Sequence, residues 1–303
     1  MAKLGASDPQ SANEYDDRTT TAVKSVLVEI GQILGSFQGK FAVIGGAVPW
    51  LLLDNHEMPH VGTLDVDLGL DAEALGDGEY ALLAGALMKH DYKQSQDLRK
   101  FQLVRSIAPG DGGSPIDVIV DFLMPRDAII DKNKPPILEH FAVQRADGAD
   151  LAIRFNEKVA VVAAMPNGGT NKVEIAVCSI LALLAMKGYA IRGRYKQKDA
   201  YDIYYCVRNY PGGVPELAEA CRPLLEHPSG AEGFGPLSEK FDTLEGYGPT
   251  CVRKFVEESR LLGDRTPEQW QQDAFWPGRC VAPGSWSEEV NIAVLTPTRF
   301  ATT

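Results

Sequence analysis

The apolar run Phe41-Ala42-Val43-Ile44 ends on two glycines, Gly45 and Gly46. After an apolar segment at 49–53 and a loop comes Thr63-Leu64-Asp65-Val66-Asp67-Leu68. No other stretch constrains the fold as much. The first run reads as a strand that ends in a backbone tight enough to need glycine. The second alternates with period two, so Asp65 and Asp67 share one face of a strand, about 7 Å apart. Like charges so placed repel unless a proton or cation lies between them. A hard divalent cation such as Mg²⁺, held by carboxylates together with the phosphates of a substrate, resolves that repulsion. Backbone N–H groups at a glycine-rich turn cradle phosphate. The wet face of an edge strand would also accommodate the two acids, and the pair alone does not separate these readings.

The chain has 303 residues, enough for a large core or for two domains, and 45% apolar with 23% charged residues is ordinary for a soluble globular protein. Cys178, Cys206, Cys221, Cys251 and Cys280 are odd in number and lack C-x-x-C spacing, so a reduced, cytoplasmic protein is expected. Residues 1–18 are polar and acidic with no apolar stretch, and are expected to form a disordered tail and not a signal. The longest uncharged run, 175–186, falls far short of the ~20 residues of a membrane span and reads as a buried helix. A net charge of −11 argues against broad non-specific nucleic-acid binding. Any RNA contact would need a local basic patch, and Lys187, Arg192, Arg194, Lys196 and Lys198 provide one in a stretch without an acid.

Helical periodicity is expected at 19–36, where Val23, Val26, Leu27, Ile30 and Leu34 recur, and at 47–53 and 79–89. Strands are expected at 41–44, 64–70, 101–107 and 116–123, the last two joined by a turn at 109–113, and near 141–144, 151–155 and 159–163. From Glu174 onward the period reads as helical: about 175–190, 197–208, 214–226, 248–262 and 267–274. The expected architecture is α/β (α+β): an α/β domain with a mixed sheet over 19–173, then a helical domain over 174–303.

Two more acids, Asp117 and Asp121, lie four apart in the strand at 116–123 and so share a face. Asp121 sits inside the apolar run 120–124 and is the favoured third carboxylate, with Asp117 the alternative. Lys187 follows the apolar helix, where a snorkelling lysine at a helix end is equally consistent. Asp199 and Asp202, at i and i+3, open the next helix after Lys198. Placement alone does not separate a helix-dipole role for them from a catalytic one.

Taken in order, these four segments resemble the nucleotidyltransferase superfamily related to DNA polymerase β. More closely they resemble its AbiEii/AbiGii-type toxin branch, the toxins of type IV toxin–antitoxin systems. The matching motifs are Gly45-Gly46 before a helix, Thr63 with Asp65 and Asp67, Lys187 late in an apolar helix, and Lys198 with Asp199 and Asp202 opening the next. Two departures stand out: Ala47 replaces a Ser or Thr, and Val61 stands where relatives often carry Arg, with His60 beside it as a candidate phosphate contact or a plain loop histidine. The resemblance implies transfer of a nucleoside monophosphate from an NTP to an acceptor, with Mg²⁺ or Mn²⁺ held by Asp65, Asp67 and Asp121. It implies nucleotide contacts from Gly45, Gly46, Thr63, Lys187 and Asp202, and a catalytic role for Lys187 and Asp199. It further implies tRNA 3′ ends as acceptor, met by Arg192, Arg194 and Lys196, and an antitoxin partner. An antibiotic nucleotidyltransferase and a nucleotide- or partner-binding module without turnover are the competing classes.

Overall fold

In α1 (Asp17–Ile33), Val23, Val26, Leu27 and Ile30 are fully buried, as the spacing requires. The computed structural model describes residues 17–53, 55–75, 78–95, 97–108, 112–128 and 143–275. The last two residues of the expected tail belong to α1, and 1–16 lie outside the described residues. Then follow β1 (Phe41–Ile44), α2 (Ala47–Leu52), β2 (Asp65–Leu70), α3 (Glu79–Met88), β3 (Gln102–Ile107) and β4 (Ile116–Pro125). After them come β5 (Gln144–Ala146), α4 (Ala149–Arg154), β6 (Asn156–Ala164) and β7 (Thr170–Cys178). The strands form one mixed sheet in the order β3-β4-β2-β1-β7-β6, with β5 added to β4. β1 pairs antiparallel with β2 and parallel with β7, and β2 pairs parallel with β4. The mixed α/β class expected from the sequence is the observed one.

Three local expectations differ. The segment at 151–155 is the end of helix α4 and not a strand, although Leu151, Ile153 and Phe155 alternate. Gly148, at φ +73°, turns the chain, and burial of Ala149, Leu151 and Ala152 in the core overrides the period-two pattern. The strand expected near 141–144 is seen from Gln144 onward, and the turn at 109–113 is described only from Gly112. The third difference is β7, which runs through Glu174: Val173, Ile175 and Val177 alternate inward while Lys172 and Glu174 point out. The apolar run at 175–186 is therefore a strand end followed by a helix start, with Ser179 capping α5 (Ile180–Gly193) through Ala182 N–H.

The helical half continues with α6 (Gln197–Asn209), α7 (Val214–Leu225), α8 (Pro228–Phe241), α9 (Tyr247–Glu258) and α10 (Pro267–Ala274). No periodicity pointed to α8, because Gly230, Gly233, Gly235 and Pro236 interrupt it. Those glycines have a packing role. A Cβ on Gly188 of α5 would overlap the Gly233 carbonyl, and one on Gly233 would press on Ala185 O, so the two helices cross backbone to backbone.

One apolar core runs through both halves. The β1–β2 connection is tied to α6 by Asn55 Nδ2 donating to Asn209 Oδ1 at 2.6 Å and by Tyr205 OH donating to Leu53 O at 3.4 Å. On one face of the sheet, Arg105 of β3 forms a buried two-bond ion pair with Glu29 of α1 (2.9 and 3.0 Å). Among the described residues no helix is long and apolar enough to cross a membrane.

Candidate metal and nucleotide site

In the parallel β2–β4 register, Asp67 sits opposite Asp121 and Asp65 opposite Ile119. Opposed residues on paired strands point to the same side, so Asp65, Asp67 and Asp121 converge on one face. Arg105, on the α1 side, pairs with Val118, which places the three acids on the other side. The same register separates Asp121, opposite Asp67, from the alternative third acid. Asp117 shares the face but lies further along β4, exposed and bonded to the Ser106 hydroxyl, whereas Asp121 accepts from Gln102 Nε2 at 2.8 Å. Gln102 was not anticipated, since only strand pairing brings it to Asp121.

Each of the other two acids is held from the loops. Thr63 Oγ1 donates to Asp65 Oδ1 at 2.7 Å, so this buried threonine positions a carboxylate; that bond uses its hydroxyl proton. A Cβ on Gly45, whose φ is +74°, would overlap Asp67 Oδ2. Glycine is required there twice over, for the backbone angle and for the room the carboxylate occupies. A Cβ on Gly46 would lie 2.8 Å from Thr63 Oγ1 and 4.0 Å from Lys198 Nζ. The glycine turn, the threonine, the two acids and a lysine thus form one continuous surface.

Loss of hydration, then the charges of Asp65 and Asp121, push the Asp67 carboxyl well above the usual carboxylate range, against a weaker pull from Lys187 and Lys196. Among the described residues no three carboxylate, imidazole or thiol groups are placed to hold a metal ion by themselves. The donors still suit a hard divalent cation. They are all carboxylate oxygens, they repel one another in its absence, and an ion such as Mg²⁺ keeps waters and substrate phosphates as most of its ligands.

Next to this surface lies a buried ion network. Lys187 Nζ donates to Asp199 Oδ1 at 2.6 Å and to Asp202 Oδ2 at 2.7 Å. Lys198, one helical turn before Asp202, donates to its Oδ1, and His60 Nε2 meets the same oxygen at 2.9 Å. Arg194 grips Asp199 through Nε (2.7 Å) and Nη2 (3.0 Å). Burial opposes the charge on Lys187, but Asp199 and Asp202 hold its pKa above the ordinary lysine value. Burial would also raise both acids. Lys187 and Arg194 instead bring Asp199 down to about 2, and Lys187, Lys198 and His60 hold Asp202 well below the usual range. Burial, with Lys187 nearby, lowers Lys198 despite Asp202.

Several expectations change here. Lys187 is a buried cross-link between two carboxylates and not a snorkelling lysine. Asp202, expected to contact nucleotide, is fully buried with both oxygens occupied by protein donors, and Asp199 is 1% exposed. Both acids position cations. His60 is a loop histidine as to position, but a buried one whose ring is bonded within the protein. Gly62 N–H donates to its Nδ1 at 3.1 Å, so Nε2 carries the proton given to Asp202, and burial lowers its pKa to about 4.

The basic patch divides in the same way. Arg192 pairs with Glu232 of α8 at 3.0 Å and stacks on Tyr189, and Arg194 is committed to Asp199. Lys196, half-buried, directs its field toward Asp67 and Lys198. Lys198, expected only in the basic patch and as the basic residue of its motif, enters the site as a partner of Asp202; its i, i+4 spacing to that residue was the available signal. No family model and no curated protein matches this chain.

Proposed function

We propose that this protein is a metal-dependent nucleotidyltransferase that moves a nucleoside monophosphate from an NTP to an acceptor, releasing pyrophosphate. One observation carries the reading. Three carboxylates converge on one sheet face, burial and then their mutual repulsion push Asp67 toward protonation, and a glycine turn packs directly against them. Beyond that turn the ion network sets three cations (Lys187, Lys198, Arg194) against two carboxylates (Asp199, Asp202). A negative cluster beside a positive excess suits a metal–triphosphate complex lying across both.

Asp65, Asp67 and Asp121 would hold Mg²⁺ or Mn²⁺, which when bound neutralises phosphate charge and acidifies an acceptor hydroxyl. Gly45 and Gly46 admit the triphosphate close to the backbone. Lys198, within reach of Gly46, supplies charge to the phosphates, and Lys187, fixed by Asp199 and Asp202, supports that field. Thr63 and Gln102 orient Asp65 and Asp121. The resemblance stated above supports tRNA 3′ ends as acceptor, a cytoplasmic growth-inhibiting role and an antitoxin partner. A small-molecule acceptor is favoured by one observation: Arg192 and Arg194, two of the three cations expected to meet RNA, are paired within the protein.

The test is incubation with each α-labelled NTP, Mg²⁺ and total RNA, alongside Asp65→Ala and Asp67→Ala. Label should enter an acceptor with wild-type protein and with neither variant. Label transferred equally by the variants would remove the carboxylates from the mechanism. Bound but never converted NTP would leave a binding module.

A further inference from the structure

Between α5, which carries Lys187, and α6, which carries Lys198, Asp199 and Asp202, the chain turns through Gly193, Arg194, Tyr195 and Lys196. The residues on either side of Tyr195 serve the site: Arg194 clamps Asp199, and the charge of Lys196 reaches Asp67 and Lys198. Tyr195 itself is 84% exposed, one of three large hydrophobic side chains left in solvent among the described residues. It is nevertheless braced. The Tyr247 ring meets it edge-on, with centroids 5.6 Å apart and planes at 68°, and Tyr247 OH donates to Lys196 O at 3.5 Å. An edge-to-face contact restrains a ring and covers one face at most, and the 84% exposure of Tyr195 leaves a face to solvent, so the ordering cost of stacking a planar ligand is partly met in advance.

We propose that Tyr195 is the platform on which the base of the incoming nucleotide stacks; this deepens the nucleotidyltransferase reading and rests on it. The sheet order decides between the nucleotide and the acceptor. The glycine turn follows β1, and α5 follows β7, the neighbour of β1. The α5–α6 corner therefore stands on the triphosphate side, where Lys198 meets Gly46. Asp121 and Gln102 lie on the opposite side, on β4 and β3, leaving that side to the acceptor. A tyrosine face stacks on any base, so the platform contributes affinity with little choice among bases.

Calorimetry on the full chain with Mg²⁺ tests this, comparing each of the four NTPs with inorganic tripolyphosphate. Wild-type protein should bind NTPs more tightly than tripolyphosphate. Tyr195→Ala should weaken NTP binding about ten-fold, the scale of one base–aromatic stack, and leave tripolyphosphate binding unchanged; Tyr195→Trp should retain NTP affinity. Unchanged NTP affinity in Tyr195→Ala overturns the platform alone, as does equal wild-type affinity for NTP and tripolyphosphate. Loss of RNA affinity without loss of NTP affinity also overturns it, assigning the ring to the acceptor. Wild-type protein that binds neither ligand overturns the platform and the nucleotidyltransferase reading together.

Discussion

The carboxylates of β2 and β4 and the ion network of α5 and α6 are built from similar acids, yet their charges are met in opposite ways. Asp199 and Asp202 are enclosed, where burial would raise them, but Lys187 with Arg194 holds Asp199 down and Lys187 with Lys198 and His60 holds Asp202 down. Asp65, Asp67 and Asp121 crowd together, and burial followed by the charges of Asp65 and Asp121 raises the pKa of Asp67 against the weaker pull of Lys187 and Lys196. The first arrangement stabilises the fold it sits in. The second costs stability while its charges stay unmatched, and the proposed metal site rests on that conflict.

The sharpest way to break that contrast is Asp202→Ala. It would leave Lys187 and Lys198 buried with one partner fewer, and removing one member of a buried ion network costs about 3–5 kcal/mol. Urea unfolding at pH 7 should show that loss or outright failure to fold. A change under 1 kcal/mol would mean the network is looser than the contacts indicate.

The pH dependence separates the clusters next. His60 is neutral in the fold, with its pKa lowered to about 4 from 6.5. In the unfolded chain it takes up a proton below pH 6.5, so its contribution is fully present above that pH and is lost as pH falls toward 4. The loss amounts to about 3 kcal/mol. Asp199 and Asp202, with depressed values, add their loss only below about pH 4. Asp67, with its raised pKa, contributes a gain of opposite sign as pH falls, so the comparison is between proteins: unfolding midpoints measured at pH 7, 5.5 and 4.5 should fall more in wild-type protein than in His60→Gln.

A smaller effect of opposite sign is expected at Asp67. Asp67→Asn removes a buried, repelled charge and keeps the shape, so metal-free protein should gain stability. Added Mg²⁺ should then stabilise wild-type protein and leave the variant unmoved. A less stable Asp67→Asn would assign the carboxylate a structural role. The smallest change belongs to Arg194→Gln: Asp199 keeps Lys187, and the arginine side chain is 52% exposed and screened. Its ion pair should be worth under about 1 kcal/mol, so the thermal midpoint should move by only a few degrees.

How much of this could be read in advance follows the range of each interaction. Gly45, Gly46, Asp65 and Asp67 were legible because a turn and a period-two strand are local patterns. Gln102, the choice of Asp121 over Asp117, and the enclosure of His60 depend on strand register and on a loop reaching α6, and no spacing encodes them. The helix at α8 was hidden because its glycines answer to α5 and not to their own neighbours. At α4 and β7, short apolar runs were compatible with either period, and the core chose.

By itself the sequence determined the mixed α/β class, the glycine turn and the paired acids, since each follows from backbone freedom or side-chain alternation within a few residues. Tertiary structure alone decided which charges became neutralised partners and which remained in conflict. Coulomb energies depend on distance and on water, and both are set only when β2 meets β4 and α5 meets α6.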